Sequence, residues 1–110
     1  MSRKEAINAF KARTVERGIF VVRCTATGQA WVDLSPNLGA ARNGNWFALR
    51  IGSHRSTSAQ AAWTAHGEDT FVFEVLETLS EDESPIVATD LLKTKKREWA
   101  TRLGAEYLHP

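Results

Sequence analysis

Apolar and polar positions along this chain change period several times, and each change marks an element. Residues 3–16 place Ile7, Phe10 and Val15 at roughly helical spacing behind Ser2, a residue suited to an N-cap, with Glu5 three positions later completing a capping box. Gly18 is expected to end that helix. The stretch 19–25 is rich in β-branched and aromatic residues and reads as a strand. Residues 26–29 form a turn, and 30–34 return as the second strand of a hairpin. Pro36 stops the strand, and Asn37 or Ser35 caps a helix running to about Ile51, which Gly52 closes. Ser56 or Ser58 opens a shorter helix through Ala65, ended by Gly67. Residues 70–79 alternate Phe71, Phe73 and Val75 against Val72, Glu74 and Leu76, a third strand. After the acidic loop 80–84, Pro85 starts a last helix with Ser84 as its cap, and this helix reaches about Leu103.

The order α-β-β-α-α-β-α contains no linker long enough to divide the 110 residues, so a single domain over 1–110 is expected. It comprises an N-terminal helix over 1–17, a core over 18–104 and a tail over 105–110. The fold class is α/β (α+β): a small sandwich with a three-stranded, mostly antiparallel sheet flanked by helices. Phe20, Trp31, Trp46, Phe47, Leu49 and Trp63 are the large side chains available for its core.

Composition narrows the function classes only slightly. A hydrophobic content of 43% belongs to a folded chain rather than a disordered one. Fourteen Lys and Arg stand against 13 Asp and Glu, so binding to a polyanion would need charge clustered locally. The lone Cys24 has no disulfide partner, and no Cys/His set has zinc spacing. With no apolar run of 18 residues and no signal-like stretch in 1–17, the chain is expected to be cytoplasmic, without contact to a membrane.

One residue breaks the pattern of the last helix. Leu92, Lys96, Trp99 and Leu103 follow 4-3-4 spacing, which sets Lys96 within the apolar stripe. An ammonium there must snorkel to water or find an anion, because an unpaired buried charge is costly.

Two tripeptides, Gly18-Ile19-Phe20 and Trp31-Val32-Asp33, are followed by Ser35-Pro36-Asn37-Leu38. Further on stand Gly52-Ser53-His54, Gln60-Ala61-Ala62-Trp63, His66-Gly67-Glu68 and the strand Phe71–Glu77, with Trp99 near the end. Over roughly residues 17–104 this succession resembles the GIY-YIG nuclease family, and its middle segment resembles homing-endonuclease-type members. The resemblance implies a metal-dependent phosphodiesterase scaffold. In such a site a glutamate on the last helix holds one divalent cation, an arginine supports the phosphate, and tyrosines or a histidine handle the attacking water. That division of labour follows from the chemistry, since a cation polarises the phosphate and acidifies bound water while a cationic side chain offsets developing charge.

Carried over position by position, the resemblance puts Phe20 and Trp31 where the family has its two tyrosines, and Asp33 where it has a glycine. Asn37 matches the family's asparagine. The arginine position falls on Ala41, with Arg42 beside it, and His54 matches a histidine. The glutamate position falls on Lys96, which cannot ligate a cation. Phe20, Trp31, Arg42, His54 and Lys96 are therefore the candidate cleft residues of a largely degenerate site, and Asp33 is the natural counter-ion for Lys96.

The expected function is a degenerate GIY-YIG domain that does not cleave and instead binds nucleic acid, DNA or RNA. Asn37, Arg42, Trp46, Arg50, His54 and Arg55 are its candidate contacts, because cationic side chains beside exposed rings hold phosphates and bases. No metal or other cofactor is expected. The alternatives are an active endonuclease using Mg or Mn, in which Arg42, His54, Glu74 or Glu77 carry relocated roles, and a protein–protein adaptor. Oligomeric state is not encoded in these patterns.

Overall fold

The computed structural model describes residues 16–79 and 85–108. Residues 3–15 of the expected first helix and the loop 80–84 lie outside the described residues, and Glu16 is not helical. Strands β1 (Arg17–Cys24) and β2 (Ala30–Ser35) form the expected antiparallel hairpin. Its turn closes where the Gly28 N–H donates to the Cys24 carbonyl at 2.9 Å, with Gly28 at a φ of 77° that side chains with a Cβ rarely adopt. Helix α1 (Leu38–Arg50) starts at Asn37, whose Oδ1 accepts from the Ala40 N–H at 3.1 Å. Helix α2 (Thr57–His66) starts at Ser56, whose hydroxyl accepts from the Ala59 N–H at 3.2 Å. A 3-10 turn over Glu68–Thr70 leads into β3 (Phe71–Leu79), followed by α3 (Pro85–Leu103) and the two-residue strand β4 (Glu106–Tyr107).

The sheet has the order β3-β1-β2-β4. It holds four strands rather than the three expected, because the segment read as a tail pairs in parallel with β2, Trp31 opposite Glu106 and Val32 opposite Tyr107. Leu108 locks this edge: its N–H donates to the Val32 carbonyl at 3.0 Å and its side chain is fully buried. No periodicity announces a two-residue strand, so only the tertiary arrangement reveals it.

Helices cover both faces of β1, which explains its unbroken apolar run Ile19–Val22. Phe20 and Val22 join Trp31, Trp46, Leu49, Trp63 and Phe71 under α1 and α2. Ile19 and Val21 join Val32, Leu92 and Ala100 under α3, with Trp99 and Leu103 packed against them. Phe47 departs from the expected core: it is 62% exposed, whereas Trp46 beside it is 3% exposed. Adjacent helical positions differ by about 100°, and the buried stripe of α1 runs through Leu38, Trp46 and Leu49, leaving Phe47 outside it.

Gly18 lies inside β1 rather than ending a helix. A Cβ at this position would stand 2.0 Å from the Glu77 carbonyl oxygen, so the close approach of β3 demands glycine. Immediately after it, the β1–β3 register slips between Ile19 and Phe20, pairing Glu77 with Ile19 and Val75 with Phe20. The intervening Leu76 is the extra residue of a bulge. Leu76 packs in the α3-side core, and Glu77 bonds Trp99 and Lys95 of α3, so both side chains turn to that helix.

Candidate functional site

Between α1 and the end of β2 lies an open cleft of about 330 Å³. The helix contributes Ala40, Ala41, Gly44 and Ala48, whose small side chains leave the space unfilled, and the sheet contributes Phe20, Asp33 and Ser35. The loop after Gly52 closes one wall with Ser53, His54 and Arg55.

Asn45 and His54 meet in this wall. The Asn45 amide donates to the Ala41 carbonyl at 2.8 Å, which leaves its Oδ1 to accept from His54 Nε2 at 2.7 Å. His54 Nδ1 accepts the Ser56 N–H at 3.0 Å, and the His54 N–H donates to Gln60 Oε1 at 3.2 Å. These partners assign the ring as the tautomer protonated on Nε2, with both nitrogens engaged. Such a histidine is a positioned donor, not a free base. A polar residue at Asn45, one turn from Ala41 and one from Leu49 on the inner side of α1, is the sequence signal that could have marked it.

At the cleft's sheet end, the Lys96 ammonium stands 3.5 Å from Asp33 Oδ1. Their side chains are 17% and 9% exposed, so Lys96 meets the anion that its place in an apolar stripe requires. Asp33 Oδ1 also accepts the Leu34 N–H at 2.8 Å. A divalent cation does not fit here, because the carboxylate it would need already faces an ammonium and a backbone donor. Among the described residues, no three His, Cys, Asp or Glu side chains converge as a ligand set.

Trp31 has a different role from that of a cleft ring. It is fully buried, and its indole N–H donates to Ser58 Oγ at 2.8 Å. Ser58 in turn donates to Glu106 Oε1 at 3.3 Å. From the sequence Ser58 is only a possible helix cap, a role that Ser56 fills, and Glu106 is not singled out; only the pairing of β4 with β2 brings Glu106 to this place.

The structure separates the candidate contacts that the sequence grouped together. His54 and Arg55 line the cleft. Trp46 is buried in the core, where it meets Trp63 edge-on at 5.7 Å, so it offers no stacking platform. Arg42 lies over the Trp46 ring at 5.2 Å instead of lining the cleft, as its one-residue offset from Ala41 implies. Arg50 grips Glu68 through two bonds of 2.9 and 2.8 Å, which hold the Glu68 carboxyl below its ordinary range and offset the cation. Asn37 caps α1. Phe20 is 1% exposed and stacks on Phe73 at 4.9 Å, so its contribution to the cleft is a wall. Of the carboxylates considered for relocated roles, Glu74 pairs with Arg23 at 3.4 Å. Glu77 takes bonds from Lys95 and Trp99 on the other side of the sheet, which lower its carboxyl from the ordinary range, Lys95 being the stronger cause.

No family model and no curated protein sequence matches this chain. Solved structures do. The catalytic domain of the intron endonuclease I-TevI, as a glutamate-to-alanine mutant, superposes with a TM-score of 0.69 at 20% identity, covering 84% of this chain and 91% of that one. A second structure of the catalytic domain of homing endonuclease I-TevI gives 0.68 at 22% identity, covering 80% and 88%. This chain has a GIY-YIG-like fold. At such identity the likeness extends to the fold, and the residues in the cleft must carry any statement about chemistry. In this GIY-YIG-like fold they are Ala41 where the resemblance expects an arginine, a histidine with both ring nitrogens bonded, and a lysine paired with an aspartate.

Proposed function

We propose that this domain binds nucleic acid without metal-dependent cleavage. The observation that carries the reading is the Asp33–Lys96 pair beside the cleft, at the position where the resemblance calls for a metal-binding glutamate. An ammonium already supplies positive charge there, and a second cation next to it would be repelled rather than held. The neutral Ala41 at the arginine position removes the group that would offset charge on a transferring phosphoryl. What remains suits holding a phosphate: the Arg55 guanidinium, the Ser53 hydroxyl and the open volume of the cleft.

Binding is expected to be weak, with Kd micromolar or above, and to fall steeply with salt. About three or four neutralised phosphates give a log–log slope near −3 on duplex. Fluorescence anisotropy with labelled oligonucleotides in EDTA, repeated with magnesium or manganese, tests both halves. Affinity independent of the divalent ion, weakening in Arg55→Glu and intact oligonucleotide in every lane are the expected results. Cleavage that needs the metal and disappears in His54→Ala would overturn the reading in favour of an active nuclease. Absence of binding at about 50 mM salt would favour an adaptor.

A further inference from the structure

Helix α3 carries five cations, Lys93, Lys95, Lys96, Arg97 and Arg102, against the two acids Asp90 and Glu98, a net +3 in a chain whose total is +1. Three of the cations are engaged: Lys95 with Glu77, Lys96 with Asp33, and Arg102 over the Trp99 ring at 4.6 Å. Lys93 and Arg97 are exposed, lie one helical turn apart, and have no ion pair among the described residues. With Lys96 and Tyr107 they line a second groove of about 330 Å³. Tyr107 is 43% exposed and is held by backbone pairing of β4 to Val32 and by the buried Leu108 that follows it. The Lys96 ammonium lies 5.0 Å from its ring centroid. Lys96 also meets Asp33, which lines the first cleft, so this ion pair links a wall residue of one groove to a wall residue of the other.

Trp31 and Trp46 are both buried and offer no stacking platform, whereas Tyr107 is exposed and stands beside cations. We propose that Tyr107, Lys93 and Arg97 form a docking strip for single-stranded nucleic acid, an unpaired base stacking on the ring while flanking phosphates meet the two cations. An exposed ring fixed between cations combines the two features by which single strands are held, and a duplex keeps its base faces covered. Fixing Tyr107 on a paired strand lowers the entropy lost on docking. The acids nearby do not cancel the strip: Asp90 lies a turn before Lys93, Glu98 lines a different depression with Arg97, and the Glu106 carboxylate accepts a hydrogen bond from the Ser58 hydroxyl.

This inference rests on the nucleic-acid reading and deepens it, so the test must separate the two. Anisotropy is measured in EDTA with labelled single-stranded DNA and RNA of mixed sequence, the same DNA with abasic sites, and duplex. The expected results are preference for the intact single strands, loss of about tenfold in Tyr107→Ala, recovery in Tyr107→Phe, and little difference between Tyr107→Ala and wild type on abasic strand. Lys93→Glu and Arg97→Glu should each make the salt slope shallower by about 0.7. Circular dichroism melts of each variant establish that it is folded; since Lys93 and Arg97 are exposed, their variants test the strip even if Tyr107→Ala unfolds. Unchanged affinity and slope in the folded strip variants, with Arg55→Glu still weakening binding, overturn the strip while the function reading stands. Equal affinity for abasic and intact strands also overturns it, reducing the patch to an unspecific anion surface. If wild type binds no oligonucleotide, both readings fall together.

Discussion

Replacing Lys96 and Asp33 singly and together measures whether the ion pair beside the cleft is held as the geometry indicates. At 3.5 Å and an effective dielectric of about 20, the gross attraction between the two charges is about 5 kcal/mol. Side-chain exposures of 17% and 9% mean that most water has been stripped from both groups, and the desolvation penalty offsets much of that attraction. A coupling of about 1–2 kcal/mol is the expected remainder, within the range measured for residues in contact. Lys96→Met keeps an unbranched side chain of similar length in the stripe with Leu92 and Trp99 and removes the charge, so its destabilisation of about 2–3 kcal/mol should come from stranding Asp33. Asp33→Ala should be similar or larger, because the Leu34 N–H also loses its acceptor. The double variant should be less destabilised than the sum of the singles by the coupling. Urea unfolding, with equal m-values as the check for two-state behaviour, gives the four free energies. Additive effects, each under about 0.5 kcal/mol as at ordinary surface sites, would refute the reasoning and leave Lys96 as a lysine that merely reaches water.

Gly18→Ala should be among the most destabilising single methyl additions in the protein, by about 1–3 kcal/mol or more, because the new Cβ meets the Glu77 carbonyl oxygen at 2.0 Å; an unchanged urea midpoint would show that β3 yields easily. Asn37→Ala removes the cap of α1 and should lower stability by about 0.5–2 kcal/mol while leaving oligonucleotide affinity unaltered; a loss of affinity at constant stability would restore Asn37 as a binding residue. Glu77 is held below the ordinary carboxylate range in the folded protein by Lys95 and then Trp99. A depressed folded pKa contributes stability above the unfolded value of about 4.3 and loses it as pH falls through the folded one. The urea midpoint of wild type should therefore exceed that of Glu77→Gln by a margin that is full near pH 6 and shrinks below about pH 4, whereas a constant gap would assign it to packing.

Much of the architecture is legible from local chemistry. Caps at Asn37 and Ser56, stops at Gly52 and Gly67, the hairpin turn through Gly28 and the strand pattern of β1 depend on residues within a few positions of one another, and the backbone follows them. The need of Lys96 for an anion is also written in the helix period, since any face that carries Leu92 and Trp99 inward carries the ammonium with them. The partners that complete the site come from distant segments. Nothing near Tyr107 or Glu106 predicts that a two-residue strand will lie against Trp31 and Val32, and that pairing creates both the Ser58–Glu106 contact and the exposed ring of the strip. Whether an aromatic residue is a wall or a platform was likewise decided in three dimensions. Trp31 and Trp46 were spent on filling the space between sheet and helices, because a domain this small has few other side chains large enough to close its core.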